Sequence, residues 1–189
     1  MKNLIWLLLL PLSVAANALP SSNSPASKPF YLGANFAFVD SDGSIFDDSY
    51  SLFAGYDYRI DSEFGLFIEA EYRDFGSETF HWLGASGRSE AYSYGLNIKP
   101  VYHFEIQQRP LHFGPVFGVH HYHEKRRSTF EGDSQYHNNS SWGLLWGLEF
   151  GITLAERLQF NYGFKKSKPK LGDERRRYDQ YYFGFNFLF

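Results

Sequence analysis

The last nine residues constrain the fold of this chain more than any other stretch. Tyr181, Phe183, Phe185, Phe187 and Phe189 set an aromatic ring at every second position, with Tyr182, Gly184, Asn186 and Leu188 between them. Successive side chains of a strand point to opposite faces, so this spacing gives one wholly aromatic face and one mixed face. A strand that ends a chain with such a face exposed to water would be costly. A strand whose apolar side meets lipid requires it.

The same two-residue period recurs upstream. Segments near 30–39, 49–60, 64–75, 89–104, 111–123, 141–154 and 157–166 each carry an apolar or aromatic residue at alternate positions, and 177–189 makes the eighth. Examples are Phe30, Leu32, Ala34, Phe36 and Phe38 in the first, and Trp142, Leu144, Trp146, Leu148, Phe150 and Ile152 in the sixth. Repeated alternation of this kind predicts strands, not helices. The connections alternate too. Those at 61–63, 105–110 and 155–156 are short, while 40–48, 76–88, 124–140 and 167–176 are longer and polar. Short turns at one end and long loops at the other suit an all-β, eight-stranded antiparallel up-and-down transmembrane β-barrel.

Composition agrees. Aromatic residues make up 20 % of the chain and glycines number 17, yet mean hydropathy is negative. That combination excludes a bundle of membrane helices and fits strands that are apolar on one side only. The net charge of −3 gives no basis for nucleic-acid binding. At the N-terminus, Lys2, the apolar run 4–12 and the small residues Ala16 and Ala18 read as a secretory signal peptide over 1–18. Residues 19–29, rich in Ser and Pro, are expected to form a flexible periplasmic leader, and 30–189 the barrel domain. No cysteine is present, so export implies neither a disulfide nor a lipid anchor on a thiol.

The terminal aromatic strand, Phe53-Ala54-Gly55-Tyr56-Asp57-Tyr58 and Gly114-Pro115-Val116-Phe117-Gly118 resemble small eight-stranded outer-membrane barrels, the OmpA-like transmembrane domain and its OmpX/Ail-like relatives. The resemblance covers 19–189. It implies an integral protein of the Gram-negative outer membrane, monomeric, with Tyr181, Phe183, Phe185, Phe187 and Phe189 read by the barrel assembly machinery. It also implies adhesion to host or other surfaces, resistance to serum factors, or envelope stabilisation. Nothing follows the last strand, so the wall-anchoring role of full-length OmpA is not expected.

Alternation does not say which face is outside, and a soluble lipocalin-like barrel would turn its apolar face inward. The face opposite the aromatics carries Gly33, Asn35, Gly55, Asp57, Gly65, Arg73, Asn97, Gly114, Gly118, Gly151 and Asn161 beside long charged residues. Glycines alternating with long charges suit a narrow lumen just filled by side chains. Arg59, Glu69, Glu71, Lys99, Glu149 and Lys165 are expected to pair there, because unpaired charge away from water is costly. Such a network is a structural plug or, as the alternative, a narrow gated ion pore. Pro100 and Pro115 fall within strands and are expected to mark bulges.

Lys125, Arg126 and Arg127 open the third long loop, and Lys166, Lys168, Lys170, Arg175, Arg176 and Arg177 flank the fourth. Guanidinium and ammonium groups pair well with phosphate, so these residues are candidates for lipopolysaccharide contact. Of His120, His121 and His123, only the last two share a face, outward near the membrane rim, and ordinary interfacial histidines are expected rather than a metal site. His137 and Ser140 fall in a loop, and no Ser/His/Asp arrangement can be assembled. No catalytic residue and no cofactor are expected, and a lipid A-modifying enzyme is the remaining competitor.

Overall fold

The computed structural model describes residues 29–42, 44–82, 85–130 and 133–189. The expected signal peptide and all but the last residue of the expected leader lie outside the described residues.

Ten strands follow one another: β1 (Phe30–Ser41), β2 (Ser44–Arg59), β3 (Phe64–Trp82), β4 (Ala85–Ile106), β5 (Arg109–Phe130), β6 (Asp133–Ala155), β7 (Leu158–Ser167), the short β8 (Lys170–Leu171) and β9 (Glu174–Arg175), and β10 (Tyr178–Leu188). Every long strand pairs antiparallel with its sequence neighbour, and β10 closes on β1 with Phe36 opposite Phe183 and Ala34 opposite Phe185. The result is a closed eight-stranded barrel, with β8 and β9 forming a small hairpin of their own.

Closure removes both sheet edges around the wall, the condition for strands to cross lipid. The apolar face points outward: Leu32, Phe36, Leu52, Ile68, Leu96, Phe117, Leu144, Trp146, Phe183 and Phe185 are all exposed on the outer surface. That orientation rules out the lipocalin-like alternative.

The long connections differ from expectation. Strands β3 to β6 continue through most of 76–88 and 124–140 instead of opening into loops. Phe80 pairs with Gly87, and Thr129 with Ser134, so the strands stay paired as far as Trp82–Ala85 and Phe130–Asp133. Lys125, Arg126, Arg127, His137 and Ser140 therefore lie on strands. A tilted crossing needs only about 9–11 residues per strand. The 23 residues of β6 leave a surplus of about a dozen, on the order of 30 Å of strand beyond the membrane. These segments are mostly polar, with only scattered residues such as Phe80, Trp82, Phe130 and Tyr136, so no two-residue apolar period announces them.

The prolines also depart from expectation. The register shifts fall between Ala37 and Val39, Asp74 and Gly76, and Thr153 and Ala155, not at Pro100 or Pro115. Instead, the β4–β5 ladder breaks between the Ile98–Phe117 and Tyr102–Phe113 pairs with its register unchanged. The two prolines face each other inside that gap, so their missing N–H donors coincide and no extra residue is inserted. The bulge in β3 has another cause. Gly76 stands at φ 85° and donates its N–H to Asp74 Oδ1 at 2.8 Å. Glycine adopts that backbone without a Cβ penalty, and the bulge switches the parity of the strand above it.

At the end holding both strand termini the connections are short. Gln107 and Gln108 alone join β4 to β5, at φ 52° and 64°. The β2–β3 turn is held by Asp61, whose Oδ1 accepts the N–H groups of Glu63 and Phe64, each at 2.7 Å.

Candidate functional site

The lumen holds three layers. At the termini end, Tyr31, Phe53, Phe67, Val101 and Leu188 pack into an apolar cluster. At the hairpin end, Ala37, Val39, Phe46, Phe75, Ala91, Tyr122, Leu171, Tyr178 and Tyr182 form a second. The rings of Phe75, Tyr122 and Tyr178 stack there, with centroids 4.5 Å apart for Phe75–Tyr178 and 6.1 Å for the other two pairs. Leu171 reaches into this cluster from the β8–β9 hairpin, which folds over the mouth.

Between the apolar layers sits the charge. Lys99 Nζ donates to Glu69 Oε2 at 2.6 Å and to Glu149 Oε2 at 2.8 Å. Lys165 Nζ donates to Glu71 at 2.8 and 2.9 Å, and Arg73 Nη2 donates to the same carboxylate at 2.8 Å. Asn97 Nδ2 bridges to Glu71 at 2.7 Å and to Glu69 at 3.3 Å. The hydroxyls of Tyr31 and Tyr182 donate to Glu69 at 3.1 Å and to Glu149 at 2.9 Å. All these side chains are buried. Three carboxylates thus meet three cations, and the layer is neutral.

His120 joins without adding charge. Its Nε2 lies 3.0 Å from Asn97 Oδ1, and its Nδ1 lies 3.3 Å from Ser93 Oγ. Because Asn97 spends its amide N–H groups on the carboxylates, its oxygen must accept, which makes Nε2 the donor. The neutral Nε2–H tautomer then leaves Nδ1 to accept from Ser93.

The network differs in membership from the sequence expectation. Arg59 stands apart: it is the last residue of β2, pairs with Asp57 at 3.1 Å and is 22 % exposed at the other mouth, at the termini end. Alternation gave its face correctly but not its depth. Arg73, expected on the inner face but not in the network, supplies the third cation. His120, Tyr31 and Tyr182 were missed; the inward parity of His120, opposite Gly95 and Gly143, was the available signal.

The basic residues divide. Lys125 and Arg127 point outward on β5, where the Arg127 guanidinium lies 5.4 Å from the Tyr136 ring centre. Lys168, Lys170, Arg175 and Arg177 are exposed around the β8–β9 hairpin. Arg177 donates to both oxygens of Asp179, and Oδ2 also accepts from Lys166 Nζ at 3.2 Å. The Asp179 carboxylate holds the Arg177 guanidinium more firmly protonated than usual. Arg126 and Arg176 turn toward the mouth instead. Arg176 pairs with buried Glu124 at 2.9 Å, and Glu124 also accepts from Ser89 Oγ at 2.9 Å. Arg126 lines a cavity of about 440 Å³ under the hairpin, with Glu124, His137, Asn139 and Glu174. Arg126 faces the mouth rather than lipid headgroups through its inward parity on β5, and Arg176, between β9 and β10, through its pair with Glu124.

On the outer surface, Tyr94, His121 and Trp142 form a belt between Leu96, Val119 and Leu144 on one side and Glu90, Lys125 and Asn138 on the other. Tyr181, Phe183, Phe185, Phe187 and Phe189 continue the outward aromatic surface on and just beyond β10. Girdles of this kind mark where lipid meets water.

The sequence matches the model of the outer membrane protein beta-barrel domain over residues 5–189. The chain belongs to that family. It is an integral protein of the bacterial outer membrane, crossed by the eight long strands. Ail of Yersinia pestis shares its fold with a TM-score of 0.53 and 16 % identity, over 86 % of this chain and 97 % of Ail. Neisserial surface protein A gives 0.50 and 16 %, over 85 % and 97 %. A major outer membrane protein of Thermus thermophilus gives 0.58 and 12 %, over 86 % and 100 %. At such identities the likeness is one of fold. No curated protein matches the sequence.

Proposed function

We propose that this member of the outer-membrane barrel family is a non-enzymatic surface protein whose working part is the sheet projecting from the membrane. The observation that carries this reading is the lumen. A neutral charged layer is enclosed between two apolar clusters, and strands β3 to β6 run on well past the outer belt. The barrel is then a plug that holds a rigid sheet, and a gated ion pore is disfavoured by the same packing.

The outward basic residues set the first contact. Lys125 and Arg127 stand one and two steps above His123 on the outer face of β5, the level of the phosphates of lipopolysaccharide. Lys168, Lys170, Arg175 and Arg177 extend the basic surface around the β8–β9 hairpin. A structure of Ail was solved with the heparin analogue sucrose octasulfate. A clustered polyanion is likewise the ligand chemistry proposed for this rim, with adhesion to anionic surfaces as its consequence. The terminal aromatics serve assembly, and the segment 1–18 serves export.

The test uses the mature chain refolded into phosphatidylcholine vesicles with and without lipopolysaccharide. A ligand that binds only the folded barrel raises its unfolding midpoint. Lipopolysaccharide is expected to raise that midpoint, and Lys125→Ser with Arg127→Ser, or molar salt, to erase the gain. No gain in the unaltered chain refutes the contact. Steady conductance across a planar bilayer refutes the sealed lumen.

A further inference from the structure

We infer that His121 and His123 form a transition-metal site on the outer rim of the barrel, selective for a nitrogen-seeking dication with Cu(II) foremost. The two residues occupy alternate positions of β5, so their side chains share the outward face. Their rings approach to a centroid distance of 4.4 Å, and His121 Nδ1 lies 2.7 Å from His123 Nε2. Two nitrogens bound to one metal at about 2.0 Å and at right angles stand about 2.8 Å apart. The pair already has that spacing; on binding, the ring that holds the shared N–H carries its proton on its other nitrogen instead, and both lone pairs turn toward a metal off the N–N line.

The surroundings hold the rings in place. His123 stacks on Tyr92 with centroids 4.7 Å apart and an interplanar angle of 8°, and lies 5.7 Å from Tyr94. His121 packs on Trp142 at 5.0 Å. Both imidazoles are half-exposed and sit at the belt, with Lys125 the next outward residue of β5. Solvent therefore reaches them. Imidazole nitrogens are also the donors that such ions prefer. Lys125 tightens selectivity by repelling cations that lack a strong bond to imidazole. Among the described residues no group of three or more His, Asp or Glu gathers around a common point. The protein thus supplies two ligands, and water or an anionic oxygen of the outer leaflet completes the shell. The affinity order follows the Irving–Williams series, with Mg(II) and Ca(II) excluded by their need for oxygen.

The test is a titration of the refolded, tag-free mature chain in detergent micelles with Cu(II), read by electron paramagnetic resonance and tryptophan emission. One equivalent is expected to bind with a two-nitrogen signature and to quench emission, because Trp142 lies against His121. Trp142→Phe is expected to keep the signature and lose most of the quenching. His121→Ala and His123→Ala are each expected to abolish the two-nitrogen signature, while His137→Ala leaves it. Both substituted side chains face outward, so the unboiled gel mobility of a folded barrel is expected to persist and separates lost binding from lost fold. A two-nitrogen signal that survives in the folded double variant overturns the site, as does its absence from the unaltered chain.

Discussion

Replacing Lys99 with methionine tests whether the buried charges act as one balanced set. The side chain keeps the reach of the lysine stem and loses its ammonium, so packing changes little. Glu69 is left with Tyr31 and Asn97, and Glu149 with Tyr182. The layer now holds three carboxylates against two cations, with no water to screen them. Breaking a buried ion pair from one side costs about 3–5 kcal/mol. At a urea slope of about 1–3 kcal/mol/M, the unfolding midpoint in vesicles falls on the order of 1–5 M. Adding Glu149→Gln removes the surplus negative charge and keeps an acceptor for Tyr182. Two carboxylates, Glu69 and Glu71, then face Arg73 and Lys165. Replacing both members of such a pair by isosteres is often close to neutral. The double variant is therefore expected to be more stable than Lys99→Met alone, with a coupling energy of about 2 kcal/mol or more. Urea unfolding followed by tryptophan emission measures it. Strict additivity of the two single losses would refute the balanced-layer argument.

Further outcomes follow from other parts of the barrel. Phe75→Ala removes a fully buried ring from the three-ring stack and is expected to cost about 3–5 kcal/mol in the same unfolding assay. Gln108 holds φ 64° in a two-residue turn, a conformation that costs a residue with a Cβ about 1–2 kcal/mol. Gln108→Gly is expected to stabilise by up to about 1 kcal/mol once the added freedom of the unfolded chain is subtracted. Asp61 is held below the usual aspartate range by the N–H groups of Phe64 and Glu63. Its contribution is thus present above the unfolded-state value and lost as pH falls through the lower folded one. A carboxyl-carbon NMR titration is expected to give a midpoint below that of a free aspartate, and a midpoint at or above it would refute the turn's geometry.

The wall of the barrel was legible because lipid writes one face of each strand. Phe30, Leu32, Phe36 and Phe38, or Tyr181 through Phe189, show their phase without ambiguity, and the closing β1–β10 pair sets those two faces side by side. The hairpins were not legible for the converse reason. In the 133–141 segment of β6 both faces meet water or the mouth, so polar residues occupy every position but Tyr136 and the period vanishes. Depth was lost in the same way. Parity puts Arg59 and Arg73 on the same inner face, yet only their position along the strand decides that one reaches the mouth and the other the centre. Nor does sequence say that Pro100 and Pro115 stand opposite each other, since that depends on the register between two strands.

The arrangement of the lumen also supports the proposal that recognition belongs outside it. A chain that used its interior for transport would need a wet path past Lys99 and Lys165, and wet charges need no balance. Here the balance is complete, each carboxylate is met by an ammonium or guanidinium within 2.8 Å, and the rings of Phe75, Tyr122 and Tyr178 on one side answer those of Tyr31, Phe53 and Phe67 on the other. Opening such a column means separating stacked rings and stripping partnered ions at once, each a cost of several kcal/mol. Packing that resists opening also resists bending, so the same layers that close the barrel fix the angle at which β3 to β6 leave the membrane. The outward sequence positions, Lys125, Arg127, Tyr136 and the histidine pair, are thereby presented on a rigid support rather than on mobile loops.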